Sequence, residues 1–297
     1  MRSRWLPALL AGLLGLSACG GGGAPATSPA TAVPAVHACG RSGTPPSDYS
    51  HVVWIVMENK SLGDVIGSRQ APYANALAAA CGVARHFSAE THPSLPNYIA
   101  MTSGSTQGIA DDLGPAFHKL AGPSIFSQLG TGWRALEESM PSACDRANSG
   151  RYAARHNPAA YYTSLAPLCT RQDVPLADPP DLSARFTFVT PDLCHDTHDC
   201  SVADGDRWLA GFVPAVLKSS EYAGGRTALF ITWDEDDGSS SNRVPTLVIA
   251  PHTRPGTRSA EPFTHYSLLR TTEELLGLPV SLGAAARAPS MRAAFDL

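Results

Sequence analysis

The feature that most constrains this chain is an apolar run, Thr227-Ala228-Leu229-Phe230-Ile231-Thr232, that ends abruptly in Trp233-Asp234-Glu235-Asp236-Asp237-Gly238. Branched and aromatic residues without alternation read as a strand buried on both faces, and the acids and glycine mark its C-terminal end. Adjacent acids repel one another unless positive charge sits among them, and hard oxygen donors suit a divalent cation such as Mg, Ca or Mn. The same residues would also make an ordinary solvated acidic turn. A second run of the same design favours the cation: His51-Val52-Val53-Trp54-Ile55-Val56-Met57 leads straight into Glu58-Asn59-Lys60-Ser61, so two buried strands both end in oxygen donors.

Beyond residue 49, strand-like and helix-like segments alternate. Residues 71–80 are Ala-rich and stop at Cys81-Gly82, the pattern of a helix with a glycine cap. Pro93 and Pro96 pin a loop around Ser94, and an apolar helix-like segment starts just after Pro96. Ser94 and Asn97 are therefore expected beside a helix N-terminus, where backbone N–H groups favour an anion. That address suits a nucleophile that must carry a phosphoryl group, although a serine in a proline turn needs no function. Residues 105–180 are loop-rich, with His156 standing just before Pro158. Residues 185–190 alternate like a strand and lead into Pro191-Asp192-Leu193-Cys194-His195-Asp196-Thr197-His198-Asp199-Cys200, which fits a rigid catalytic loop or a separate zinc site. Residues 205–217 have helical spacing, 246–250 read as a strand, and 264–277 as a helix capped by Thr264 and Gly277. The alternation predicts an α/β fold, a three-layer sandwich with a mostly parallel central sheet and its polar clusters along one edge.

Composition narrows the role. The 297 residues, 43% hydrophobic and 16% charged, suffice for a full core, and a net charge of -4 argues against a nucleic-acid partner. Arg2 and Arg4, a short apolar stretch, and Leu16-Ser17-Ala18-Cys19-Gly20 predict an export signal over residues 1–19 rather than a membrane span. This run resembles a bacterial lipoprotein signal, which implies lipidation of Cys19; in an ordinary cleaved signal Cys19 would be incidental. Residues 20–48 read as a flexible Pro/Gly/Ala tether and connector, and 49–297 as the catalytic domain. Cys39, Cys81, Cys144, Cys169, Cys194 and Cys200 form an even set in an exported chain, which suggests disulfides. Short loops close easily, so pairing between sequence neighbours is preferred. A thiolate zinc site lacks the paired Cys-x-x-Cys spacing that would support it.

Met57-Glu58-Asn59-Lys60-Ser61, His92-Pro93-Ser94-Leu95-Pro96-Asn97-Tyr98 with Thr102-Ser103-Gly104, the Asn-Pro after His156, Asp196-Thr197-His198-Asp199, Trp233 to Gly238, and Thr264-His265-Tyr266-Ser267-Leu268-Leu269-Arg270 occur in an order that resembles the bacterial phosphoesterase family. That family holds acid phosphatases and non-haemolytic phospholipases C within the alkaline-phosphatase-like superfamily. The resemblance runs from about residue 51 to 278 and implies an alkaline-phosphatase-like fold. It implies one divalent metal (Ca, Mg, Mn or Zn) held by Glu58, Asn59, Asp234 and Glu235, with Ser94 as the nucleophile that also touches it. His198 and His156 match histidines that face the phosphate, and Asn97 an amide that donates to a phosphoryl oxygen. Lys60-Ser61-Leu62 depart from the pattern, since many members carry an aromatic after the serine.

The expected activity is metal-dependent hydrolysis of phosphate esters through a phosphoserine on Ser94, with His198 or His156 as the acid for the leaving oxygen. A small phosphomonoester is the favoured substrate, as for an acid phosphatase, because no separate lipid-binding module is visible. A phospholipase C-type phosphodiesterase acting on a phospholipid head group is the alternative. A non-catalytic ligand-binding lipoprotein is disfavoured, since the oxygen donors and Ser94 are all present. The expected location is the bacterial cell envelope, on the periplasmic side through a lipid on Cys19, or outside the cell. His265 either reaches the metal edge or simply begins the last helix.

Overall fold

A computed structural model describes residues 38–279 and 282–297. The export signal, Cys19 and the first part of the tether lie outside the described residues. The strands are β1 (His51–Met57), β2 (Gly82–Ala84), β3 (Phe87–Ser88), β4 (Trp133–Glu137), β5 (Asp173–Pro175), β6 (Phe186–Thr190), β7 (Thr227–Trp233), β8 (Thr246–Ile249), β9 (Thr257–Ser259) and β10 (Phe263–Thr264). Eight of them form one sheet in the order β5-β4-β6-β1-β7-β8-β2-β9, while β3 and β10 pair separately. From β5 to β7 every pairing is parallel, as expected of strands that bury both faces. β8 runs antiparallel to both β7 and β2. The cause is local: the loop between β7 and β8 contains no helix, and a parallel return would need a crossover.

Helices cover both faces, which makes the predicted three layers. On one face Trp54 donates its indole N–H to Thr272 Oγ1 of the helix His265–Leu275, at 3.0 Å. Trp54 also meets Phe186 edge-on at 4.9 Å. On the other face Met57 packs against Gly205 in the helix Val202–Lys218, where a Cβ would sit 3.1 Å from the Met57 methyl. The odd spacing between Trp54 and Met57 puts them on opposite sides of β1, as the strand period requires.

Three expectations are corrected. The nucleophile helix starts at Ser94, not after Pro96, and spans Ser94–Ser103. Pro96 is tolerated there because N–H groups in a first turn have no intrahelical partner to lose. The last helix ends at Leu275, and Gly277, at φ 60°, follows its cap. Gly277 N donates to Glu274 O and Leu278 N to Glu273 O, the bond pattern of a left-handed glycine closure. Finally, residues 38–48 belong to the packed domain: Cys39 is bonded to Cys81, Gly40 N donates to Thr253 O and Arg41 N to Pro251 O. The other disulfides join Cys144 to Cys169 and Cys194 to Cys200, so all three follow the sequence-local pairing. No described helix is long and apolar enough to cross a membrane.

Candidate active site

The site grows out of strand register. β1 and β7 pair in parallel up to Met57 opposite Trp233, so the next residues of each, Glu58 and Asp234, leave the sheet edge side by side. Backbone bonds fix both: Asp234 N donates to Met57 O at 2.9 Å and Glu58 N to Asp196 O at 2.7 Å. Ser94, the first residue of its helix, donates Oγ–H toward Glu58 Oε2 at 3.1 Å and lies 3.4 Å from Glu235 Oε1. Asn59, held at φ 45°, donates Nδ2–H to Glu235 Oε1 at 2.7 Å and its backbone N–H to Asp234 Oδ1 at 3.2 Å. The structure thus brings Glu58, Asn59, Ser94, Asp234 and Glu235 together.

Their electrostatics suit a cation. Burial, then the charge of Asp234 and Asp196, pushes the Glu58 carboxyl well above its usual range. Burial, then Glu235, raises Asp234; burial, then Asp112, raises Glu235. Asn59 Oδ1 and Asp234 Oδ2 are buried acceptors without a hydrogen-bond partner among the described residues. Unsatisfied buried acceptors are costly, and a hard cation between them would satisfy both at once.

The other acids of the 234–237 run have different work. Asp236 accepts from Gly238 N, Ser240 N and Asn242 N, and Asp237 from the Ser61 and Ser239 hydroxyls, so both shape the loop. His265 is fully buried, and its Nε2 bonds to the backbone carbonyl of Asp234 at 2.7 Å. It props the end of β7. Burial holds its pKa down at about 4.

His156 is buried with Nε2 3.3 Å from Glu58 Oε1 and Nδ1 3.5 Å from Asp196 Oδ2. Desolvation, then the neighbouring Arg155, keeps it well below the ordinary histidine range and so neutral. His198 lies nearer the surface, its ring 6.0 Å from that of His156. Its Nδ1 bonds to Asp199 at 2.7 Å and its Nε2 faces Arg155 Nη2 at 3.2 Å. Asn97 is wholly buried, and its Oδ1 accepts from Glu90 N and Thr91 N. Its Nδ2 serves Thr91 O and reaches Glu235 Oε2 at 3.3 Å. Donation to a phosphoryl oxygen would require exchanging that last contact. The helix N-terminus is also partly committed, because Leu95 N donates to Asp112 Oδ1 at 2.9 Å.

The zinc reading of the 191–200 loop finds a trio of its own. Glu138, Asp192 and His195 bring ligand atoms within 4.8 Å of one another. Trp208 Nε1, Ser139 Oγ and Asp192 N already donate to its carboxylates, so hydrogen bonds account for the cluster.

Sequence reasoning assigned no role to three neighbours. Tyr98 donates its hydroxyl to Glu58 Oε1 and stacks on His156 at 5.3 Å. Its four-residue spacing from Ser94 on a helix was the available signal. His92 lies 2.9 Å from Glu235 Oε2 and 3.3 Å from Asp236 Oδ1. Arg155 meets His198, and nothing in its local sequence foretells that.

A mostly parallel α/β sandwich with a serine among carboxylates at its strand ends defines the class, an alkaline-phosphatase-like hydrolase fold. A solved protein of the alkaline phosphatase superfamily from Vibrio parahaemolyticus shares this fold, with a TM-score of 0.57 at 12% identity over 84% of this chain and 72% of that one. Residues 67–279 match the model of the Phosphoesterase family. A phosphatidylinositol-3-phosphatase of Mycobacterium tuberculosis is 36% identical over 250 residues, 81% of each chain. An acid phosphatase of Aspergillus fumigatus is 29% identical over 67% of this chain, which spans 48% of that protein's length. The chain belongs to the Phosphoesterase family, and it is a hydrolase acting on phosphoric esters.

Proposed function

We propose that the chain is a metal-dependent phosphomonoesterase that works through a phosphoserine on Ser94. The observation that carries this is the Ser94 hydroxyl held between Glu58 and Glu235, beside the unpartnered Asn59 Oδ1 and Asp234 Oδ2. Glu58, Asn59, Ser94, Asp234 and Glu235 would hold the ion. Bound there, a divalent cation lowers the pKa of the serine hydroxyl and offsets charge on a phosphoryl oxygen.

Ser94 Oγ, its proton released to solvent, attacks phosphorus in line with the leaving alcohol, the P–O bond to that alcohol breaks, and the alkoxide takes a proton from His198. Asp199 on Nδ1 orients that ring. Water then attacks the phosphoserine and passes a proton to His198 Nε2, and Ser94 Oγ leaves without a proton, ready for the next turnover. His156, buried between Glu58 and Asp196, lines the phosphate side of the site. Asn97 clamps the loop carrying Pro93 and comes onto a phosphoryl oxygen by giving up Glu235. The relatives similar in sequence are named as phosphatases, which supports a monoester over the phospholipase C reading. We place the protein outside the cytoplasm, lipid-anchored through Cys19 or secreted, in keeping with its disulfides.

Ser94→Ala is expected to abolish turnover of p-nitrophenyl phosphate while thermal unfolding stays within a few degrees of wild type; near-normal turnover would remove Ser94 from its role. Chelation should silence the wild-type enzyme, and adding back Mg, Ca, Mn or Zn singly should restore it with the resident ion. Full activity after exhaustive chelation would defeat the metal assignment. Faster release of phosphocholine from phosphatidylcholine than of phosphate from the monoester would favour the diesterase instead.

A further inference from the structure

Arg155 stands directly before His156 at the mouth of the site, half-buried, and the mechanism above leaves it idle. Among the described residues no carboxylate lies within ion-pair distance of its guanidinium. Its hydrogen bond goes instead to His198 Nε2 at 3.2 Å. Because His198 Nδ1 is engaged with Asp199 at 2.7 Å, the His198 nitrogen facing the guanidinium carries a lone pair and accepts. A permanently charged group whose partner is a single imidazole nitrogen is weakly paired. Yet this cation is close enough to oppose the upward pull of burial on Glu58 and Asp196. A phosphoryl oxygen would make a much stronger partner, since charge-assisted and bidentate bonds are what a guanidinium offers.

We propose that Arg155, paired with His198, is the anion-recognition element that selects a dianionic phosphomonoester over a monoanionic phosphodiester. This rests on the reading of Ser94 as the nucleophile of a phosphomonoesterase. The monoester brings one more terminal oxygen and one more negative charge than the diester, and both fall to the guanidinium. As Arg155 turns from His198 to the phosphoryl group it frees His198 Nε2 to take up from solvent the proton that it then gives to the leaving alcohol. Recognition of the correct charge and readiness of the acid are thus coupled through one hydrogen bond.

The test uses the metal-loaded enzyme with p-nitrophenyl phosphate, bis(p-nitrophenyl) phosphate, and inorganic phosphate as a competitive inhibitor. In Arg155→Ala, kcat/KM for the monoester should fall about 10- to 100-fold, the size of one charged hydrogen-bonding group. The inhibition constant for phosphate should rise by a similar factor, and the diester should lose less, so the monoester-to-diester ratio collapses. Arg155→Lys, which keeps the charge without the planar fork, should recover part of the ratio. If Arg155→Ala is insoluble, Arg155→Gln gives the same readings. An unchanged ratio with unchanged phosphate inhibition in a folded variant would overturn the assignment of Arg155 alone. A wild-type enzyme that prefers the diester would overturn the monoester reading, and the selectivity argument with it.

Discussion

Tyr98 sits one helical turn beyond Ser94, so both side chains leave the same face, and its hydroxyl donates to the carboxylate that also accepts from Ser94. Burial, then the nearby Glu58 and Asp234, raises the phenol far above its usual range, which keeps it a donor. Removing that donor leaves Glu58 less well aimed. Groups that orient metal-binding side chains are typically worth about 10- to 100-fold in affinity or activity. Tyr98→Phe should therefore raise the metal concentration needed for half-maximal activity by about that factor, at a stability cost of about 1 kcal/mol. A metal titration coinciding with wild type would deny Tyr98 this role. At this scale the sequence was legible where chemistry and local spacing coincide. Ser94 between prolines, and Glu58 and Asp234 at the ends of apolar runs, could be named. His92 and Arg155 could not, because their partners Glu235 and His198 are brought to them only by the fold, whereas Tyr98 carried a signal in its four-residue spacing from Ser94.

Whole elements show the same division. β1 and β7 were readable because six and seven consecutive buried residues, respectively, cannot be mistaken for a solvated segment. β2, β5 and β9, three residues each, carry no period at all and are held by neighbours already in the sheet. The helix Pro72–Ala80 illustrates a cap invisible to local reading. Its N-cap Ala71 offers no side-chain acceptor, and the carboxylate of Asp206 takes the N–H groups of Tyr73 and Ala74 at 3.0 and 2.8 Å. A carboxylate at that end also meets the favourable end of the helix dipole. The contact ties together two helices on the face of the sheet opposite Ser94. The Ser94 helix ends in Gly104 at φ 75°, where a Cβ would collide with the Leu282 carbonyl. The Thr102-Ser103-Gly104 end of the family-like motif thus has a packing reason as well as a conformational one.

Taken as a whole, the molecule gathers buried acid along the C-terminal edge of its sheet, and part of it makes no contact with the Ser94 hydroxyl. Glu137 ends β4 and Asp173 begins the adjoining β5, and both are fully buried. Glu137 accepts from Thr190 Oγ1, with Oε2 lacking a partner, while Asp173 accepts from Asn157 Nδ2. Burial, then the charge of Asp173, lifts Glu137 well above its usual value; burial lifts Asp173 to about 7, with Arg146 opposing and Asp145 adding. A carboxyl whose folded pKa is raised makes the native state bind a proton that the unfolded chain has already released. Stability contributed by that proton is complete below about pH 4 and is lost as pH rises toward 7, by about 1.4 kcal/mol per pH unit for each proton at stake. The double variant Glu137→Gln, Asp173→Asn keeps both acceptors and removes both titrations. Denaturant unfolding of the metal-saturated, disulfide-intact protein should show wild type losing stability between pH 4.5 and 7 and the double variant losing distinctly less. Equal slopes in the two proteins would mean that the buried pair holds no such proton.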